Sequence, residues 1–150
     1  MRTETPTMTS LSNELSTWLQ VFLARHGGVA GTVHVLREGV LHVAAAANIP
    51  EPVLRATAVI PRGKGMAGLA LERDAPVTTC NLKEDTTGAV KPGARAVNAQ
   101  AAVALPVHGH GGGVRAVVGI AFPDERTFTA ADLDALAGSA ADLPEQDPPG

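Results

Sequence analysis

The segment from Val59 to Cys80 constrains this chain more than any other. A short apolar run ends at Pro61, which has no N–H to give to a sheet ladder and so ends a strand. Gly63, Gly65 and Gly68 follow at G-x-G-x-x-G spacing, and Leu69 to Arg73 are good helix formers. Asp74-Ala75-Pro76 stops that helix, because the residue before a proline is pushed out of the α region. Val77 to Cys80 then reads as a new strand, β-branched and bounded by Asn81.

Glycines at this spacing also open dinucleotide sites, but there a long helix and a second parallel strand follow. Here the helix lasts barely two turns and a polar loop comes next. The kinase glycine loop is excluded too, since no Val-Ala-Lys strand or His-Arg-Asp loop follows. The glycines therefore serve the backbone, allowing a sharp turn and a helix seated tightly on a sheet.

With 150 residues the chain is one domain's worth, enough to bury a core. Aromatic residues are only 3%, so that core is built from Val, Leu, Ile and Ala. Net charge is −3 and no basic cluster occurs, which excludes nucleic acid and anionic membranes as partners. No run approaches a membrane span and the first residues lack a signal-peptide pattern, so the cytoplasm is the expected location. One cysteine excludes an internal disulfide and a Cys-rich zinc site.

Residues 1–8 and 144–150 are expected to be disordered tails around a single domain at 9–143. Between Thr9 and His26, Leu11, Leu15, Trp18, Leu19, Phe22 and Leu23 recur at helical spacing, and Gly27-Gly28 forms the C-cap. Thr32–Leu36 and Val40–Ala46 form a hairpin, expected to close through a three-residue loop at Arg37-Glu38-Gly39. That register sets Leu36 opposite Val40 and His34 opposite His42. Val33, Val35, Leu41, Val43 and Ala45 would share a core face, and Thr32, His34, His42, Ala44 and Ala46 the floor of a cavity. A short helix from Ile49 to Arg55 and a strand from Thr57 to Ile60 come next. The polar stretch from Asn81 to Asn98 is a long irregular loop, usually functional or mobile. Ala101–Val107 and Val114–Ala121 are strands around a glycine-rich tip. Gly119 marks a close approach within the second. Thr129 to Asp132 reads as a capping box, with Phe128 and Leu133 placed as a staple, and Pro144 ends the final helix.

These pieces, in this order, resemble the GAF domain family between about Gly31 and Leu143. The residues that carry the resemblance are the hairpin ending in Ala45-Ala46-Ala47-Asn48, Ile60-Pro61, and Gly63-x-Gly65-Met66-Ala67-Gly68. Ala75-Pro76-Val77, Ala102 to Val107, Val117 to Ala121 and Phe128-Thr129 complete it. The resemblance implies an α+β fold, a six-stranded antiparallel sheet flanked by helices on both faces. It implies a small-molecule sensor or dimerisation module, with the Asn81–Asn98 loop covering the ligand. The expected ligand-binding residues are His34, His42, Met66, Cys80, Asn81 and Asn98. The expected partners are a small-molecule ligand, a second copy through the N- and C-terminal helices, and a separate effector protein.

The ligand itself is not identified by the residues, and neither is a cofactor. Cyclic-nucleotide-binding GAF domains carry an Asn-Lys…Phe…Asp-Glu signature; Asn81 and Phe122-Pro123-Asp124-Glu125 lack the adjacent Lys and the right spacing. A bilin wants a cysteine beside histidine and aromatics, and none lies between Cys80 and Ala101. Free methionine-R-sulfoxide reductases are single GAF domains of this size with one cysteine in the glycine segment and another before the Leu-Pro strand. Met66-Ala67 and Val97 to Gln100 stand there instead. Thiol reduction of a sulfoxide needs two thiols or an external one, so an oxidoreductase using Cys80 ranks last. A ligand-free interaction module ranks between the two. His108 and His110 suggest a metal pair, but three glycines beside them favour a solvated turn.

Overall fold

A computed structural model of the chain describes residues 7–79, 101–109, 111–124 and 127–144. Six strands form one sheet in the order β3-β2-β1-β6-β5-β4, every neighbouring pair antiparallel. They are β1 (Ala30–Arg37), β2 (Val40–Ala47), β3 (Val59–Pro61), β4 (Val77–Thr79), β5 (Ala101–His108) and β6 (Val114–Phe122). The helices are α1 (Thr7–His26), α2 (Glu51–Ala56), α3 (Gly65–Arg73) and α4 (Ala130–Ala140).

The apolar stripe of α1 lands on one face of the sheet. Leu15, Leu19, Phe22 and Leu23 pack with Val33, Val118, Leu105 and Ile120, and α4 adds Leu136 and Ala140 to the same cluster. The opposite face carries a smaller cluster in which Ala70 and Leu71 of α3 meet Leu41, Ile60, Val77 and Val117. Helices thus cover both faces, as expected. Cross-strand partners share a face, and the central strands, covered twice, are apolar on both sides.

Helix ends follow local chemistry. Gly27 takes φ 77° and Gly28 N–H reaches the Leu23 carbonyl at 2.9 Å, a Schellman ending for α1. At α4 the capping box is complete: Asp132 N–H donates to Thr129 Oγ1 at 3.1 Å, and Thr129 N–H to Asp132 Oδ2 at 3.0 Å. Phe128 packs on Phe122, with ring centroids 5.7 Å apart. Arg115 Nη2 donates to the Leu143 carbonyl at 2.7 Å and fastens the chain beyond α4 to β6.

Several boundaries differ from expectation. α1 begins at Thr7, ahead of Thr9, and β3 starts at Val59 where a strand from Thr57 was expected. α3 begins at Gly65, within the glycine segment and ahead of the Leu69–Arg73 run of helix formers. The side chain of Leu11, residues 1–6 and residues 145–150 lie outside the described residues. So does the whole Asn81–Asn98 loop.

The hairpin register is the main correction. Glu38 and Gly39 both have positive φ, 52° and 80°, and form a two-residue turn where three residues were expected. Arg37 therefore pairs with Val40, Leu36 with Leu41 and Val35 with His42. A shift of one residue exchanges faces. Leu41 joins Ile60 and Leu71 on the α3 side, and His42 turns to the side of Val35. Beyond it Val33 pairs with Ala45 while His34 pairs with Val43, so Ala44 is the extra residue of a bulge.

The third glycine of the G-x-G-x-x-G segment is the contact point of α3 with the sheet. A Cβ on Gly68 would lie 2.5 Å from the Pro61 carbonyl oxygen. Gly63 N–H donates to the Gly68 carbonyl at 2.9 Å, closing the turn. Gly138, on α4, has open space at its Cβ position. Gly68→Ala is expected to destabilise by about 2 kcal/mol or more, since backbone must move. Gly138→Ala is expected to stabilise by about 0.5–1 kcal/mol. Urea unfolding of the two variants checks both signs.

Candidate functional site

A cavity of about 160 Å³ lies between the sheet and the helices α2 and α3. Its floor is made by cross-strand neighbours that are all small. Thr32 pairs with Gly119, Gly119 with Ala104, and the adjacent row pairs Ala121 with Ala102. All five line the cavity. A side chain at Gly119 would touch Thr32 Oγ1 at 3.1 Å, so the close approach expected there is made by a threonine. One row along, Val117 sits opposite His34, and bulk returns with the Leu41–Leu71 cluster. The walls are Val53 and Thr57 at α2, Ile60 of β3, and Gly65, Met66 and Ala67 in the first turn of α3.

His34 is the polar group of this site. It is 2% exposed, and its Nε2 donates to the Thr57 carbonyl at 2.7 Å. Thr57 is held in turn by α2, its N–H and its hydroxyl both donating to the Val53 carbonyl. Nδ1 of His34 has no hydrogen-bond partner among the described residues. Burial pushes the imidazole pKa below its ordinary 6.5; the Thr57 carbonyl opposes this and His42 adds to it. The ring is therefore neutral at pH 7. No Asp, Glu, Lys or Arg is among the described lining residues. The described lining suits an uncharged guest.

Of the six expected site residues, His34 and Met66 line the cavity. His42 does not, because the two-residue turn sets it opposite Val35. Of the expected Ala44 and Ala46 floor, Ala44 is the bulge residue, packed on the α1 side, while Ala46 pairs with Thr32 beyond the bulge but is not among the described lining residues; Thr32, β5 and β6 supply the floor. Cys80, Asn81 and Asn98 lie outside the described residues. Sequence reasoning missed Ala102, Ala104, Ala121, Val53 and Thr57; only Gly119 carried a signal, as a glycine inside a strand. His110, the other half of the suggested metal pair, lies outside the described residues; His108 Nε2 donates to Asp74 Oδ1 at 2.5 Å on the surface. Among the described residues no three His, Cys, Asp or Glu side chains cluster as a metal site.

His26 bonds Ser139 Oγ at 2.9 Å, joining α1 to α4, and its pKa is lowered by burial and by Arg25. For a base whose folded pKa lies below the unfolded value, the unfolded chain binds the proton first. Stability from both histidines is therefore full above pH 6.5 and lost as pH falls towards their folded pKa values. His34→Gln, which keeps a donor for Thr57, is expected to flatten the fall in melting temperature between pH 7.5 and 5, leaving the smaller contribution of His26. An unchanged slope would place the linkage elsewhere.

A family model described as GAF domain matches residues 8–143. A comparison with curated proteins gives no match. Among solved structures, the chain is similar to the GAF domain of an Acinetobacter phosphoenolpyruvate-protein phosphotransferase. The TM-score is 0.70 at 16% identity, over 91% of this chain and 82% of that one. It is similar to the type II free methionine-R-sulfoxide reductase of Thermoplasma acidophilum, with TM-score 0.69 at 19% identity, over 91% and 90%. A GAF domain/HD domain protein of Geobacter sulfurreducens gives 0.68 at 12% identity, over 89% of both chains. At these identities the likeness is one of fold.

Proposed function

Because the chain belongs to the GAF domain family, we propose that it is a cytoplasmic small-molecule sensor whose ligand occupies the cavity above Gly119. The observation that carries this reading is the cavity itself, about 160 Å³ of space over a floor of small residues, with a buried histidine at its edge. A concave, largely apolar site with few placed polar groups is the usual layout of a ligand pocket. No described helix is long and apolar enough to cross a membrane, which is compatible with this location. Thiol reduction of a sulfoxide would need two thiols or an external one, and Cys80 is the single cysteine of this chain.

Native mass spectrometry of freshly purified protein tests the reading through a co-purified small molecule. Ala104→Ile separates it from a collapsed pocket. If the space accepts a ligand, the larger side chain fits, stability holds within about 1 kcal/mol, and the bound mass disappears. If no such space exists in solution, overpacking costs about 1–3 kcal/mol and no bound mass is seen in either protein.

A second reading, compatible with the first, is supported on α1. Val21 is 53% exposed, beside Trp18 and Phe22, whose rings stack with centroids 5.0 Å apart. Trp18, Val21 and Arg25 form a shallow cleft with Ser139 and Asp142 at the end of α4. In this reading α1 and α4 pair with a second copy, and the ligand signal passes through the dimer or to a separate effector. An isologous contact would bring α1 against its own copy. Trp18 is half-buried within the subunit, so Trp18→Ala should fall short of the roughly 3–5 kcal/mol of a fully buried tryptophan. A folded monomer is expected by circular dichroism and sedimentation. Wild-type protein that stays monomeric at high concentration would remove this reading.

A further inference from the structure

Three polar side chains are among the described residues that line the cavity, Thr32, His34 and Thr57, and two of them have nothing left to give a guest. The Thr57 hydroxyl donates to the Val53 carbonyl. His34 donates through Nε2 to the Thr57 carbonyl, and its Nδ1 is closed off on all sides. Thr32 differs from both. Its Oγ1 makes no hydrogen bond among the described residues, yet it is not closed off. Among the described residues that are not exposed, His34 Nδ1 is the one unpartnered side-chain nitrogen or oxygen that has lost its surface, and Thr32 is half-buried. Thr32 Oγ1 is therefore both unpaired and reachable.

The open side of Thr32 is the cavity. The residue lies on β1 between Ala46 of β2 and Gly119 of β6, so paired strands close both its flanks. Its hydroxyl leans over the glycine: Oγ1 is the nearest atom to the place of a Gly119 Cβ, at 3.1 Å, and Ala104 continues the same row. The side chain that Gly119 lacks thus leaves room for one ligand atom within hydrogen-bond reach of Oγ1. A hydroxyl brings one proton and two lone pairs. Folded interiors tolerate an unused lone pair better than an unused donor. The need at Thr32 is for an acceptor.

Resting on the sensor reading above, we propose that Thr32 is a specificity-determining residue of the cavity floor, selecting small molecules that present an oxygen acceptor, such as a carbonyl, over Gly119. The requirement concerns one atom at one place and is independent of what the rest of the molecule meets.

Cyclopentanone and methylenecyclopentane are the probes, the same ring with a carbonyl oxygen in one and a CH₂ group in the other. Both have roughly the bulk of benzene, which a cavity of about 150 Å³ takes, and this one is about 160 Å³. Affinities for the full chain are measured by NMR titration. The ratio of ketone to alkene affinity is expected to fall about three- to tenfold in Thr32→Val, which removes the hydroxyl and keeps the shape, and to be retained in Thr32→Ser. Cyclopentanone labelled with ¹³C at the carbonyl reports the hydrogen bond itself. Bound to the wild type, its carbon is expected downfield of the same carbon bound to Thr32→Val. Without ligand, Thr32→Val is expected to melt no lower than the wild type, because no hydrogen bond is lost. If both probes bind and neither the ratio nor the carbon shift responds to Thr32→Val, the cavity remains a ligand site and the role of Thr32 is overturned. A ligand-free Thr32→Val that melts clearly lower reveals a hydroxyl already engaged and overturns it as well. Binding of neither probe removes the open cavity and the role of Thr32 together.

Discussion

The pairing of β1 with β6 is the contact on which the rest of the structure depends. It joins two sheet halves, β3-β2-β1 and β6-β5-β4, that are otherwise held mainly by helices. Ala30 to Val35 run antiparallel to Ala121 to Ala116 without a register shift. That places Val33 beside Val118 and Val35 beside Ala116 under α1 and α4. The alternate residues, Thr32 with Gly119 and His34 with Val117, face α2 and α3. One pairing thus builds the larger core and the cavity floor together.

The two faces are filled differently, and function follows from the difference. On the α1 side, leucine, phenylalanine and valine pack together as the larger core cluster. On the other side α3 is drawn close by Gly68, while the sheet beneath its first turn offers only glycine, alanine and threonine. A helix cannot sink further there, because the Pro61 carbonyl already meets Gly68. The cavity is what a tight contact at one end of a helix leaves at its side. His34 stands at the border between this space and the Leu41–Val117 cluster, fixed by Thr57 and unable to reach water.

A histidine buried in this way is tolerated only as the neutral ring with a defined tautomer. The short bond to Thr57 supplies that definition, and Thr57 is itself tied to Val53 through two hydrogen bonds. The six residues of α2 therefore matter less for their own burial, in which Val53 is the one buried residue, than for where they hold a carbonyl.

Local signals determined a large part of this fold. The capping box at Thr129, the Gly27-Gly28 ending, the strand stop at Pro61 and the tight seating of Gly68 all follow from residues within one turn of each other. So do the apolar runs that mark β1, β5 and β6, and their order along the chain is enough to indicate the family. The hairpin turn was the point of failure. Arg37-Glu38-Gly39 is compatible with a two- or a three-residue closure, and the choice moves His42 and Leu41 to opposite faces. Only the completed sheet decides it, because Leu41 gains a buried place against Ile60 and Leu71 that the other register denies it. The cavity was legible as an idea and in Thr32, His34 and Met66, but not in the rest of its lining. Its floor combines β1, β5 and β6, whose small side chains become neighbours only through long-range pairing. The idle nitrogen of His34 belongs to the same category: a sequence can name a histidine, but only the fold says which of its nitrogens is left over.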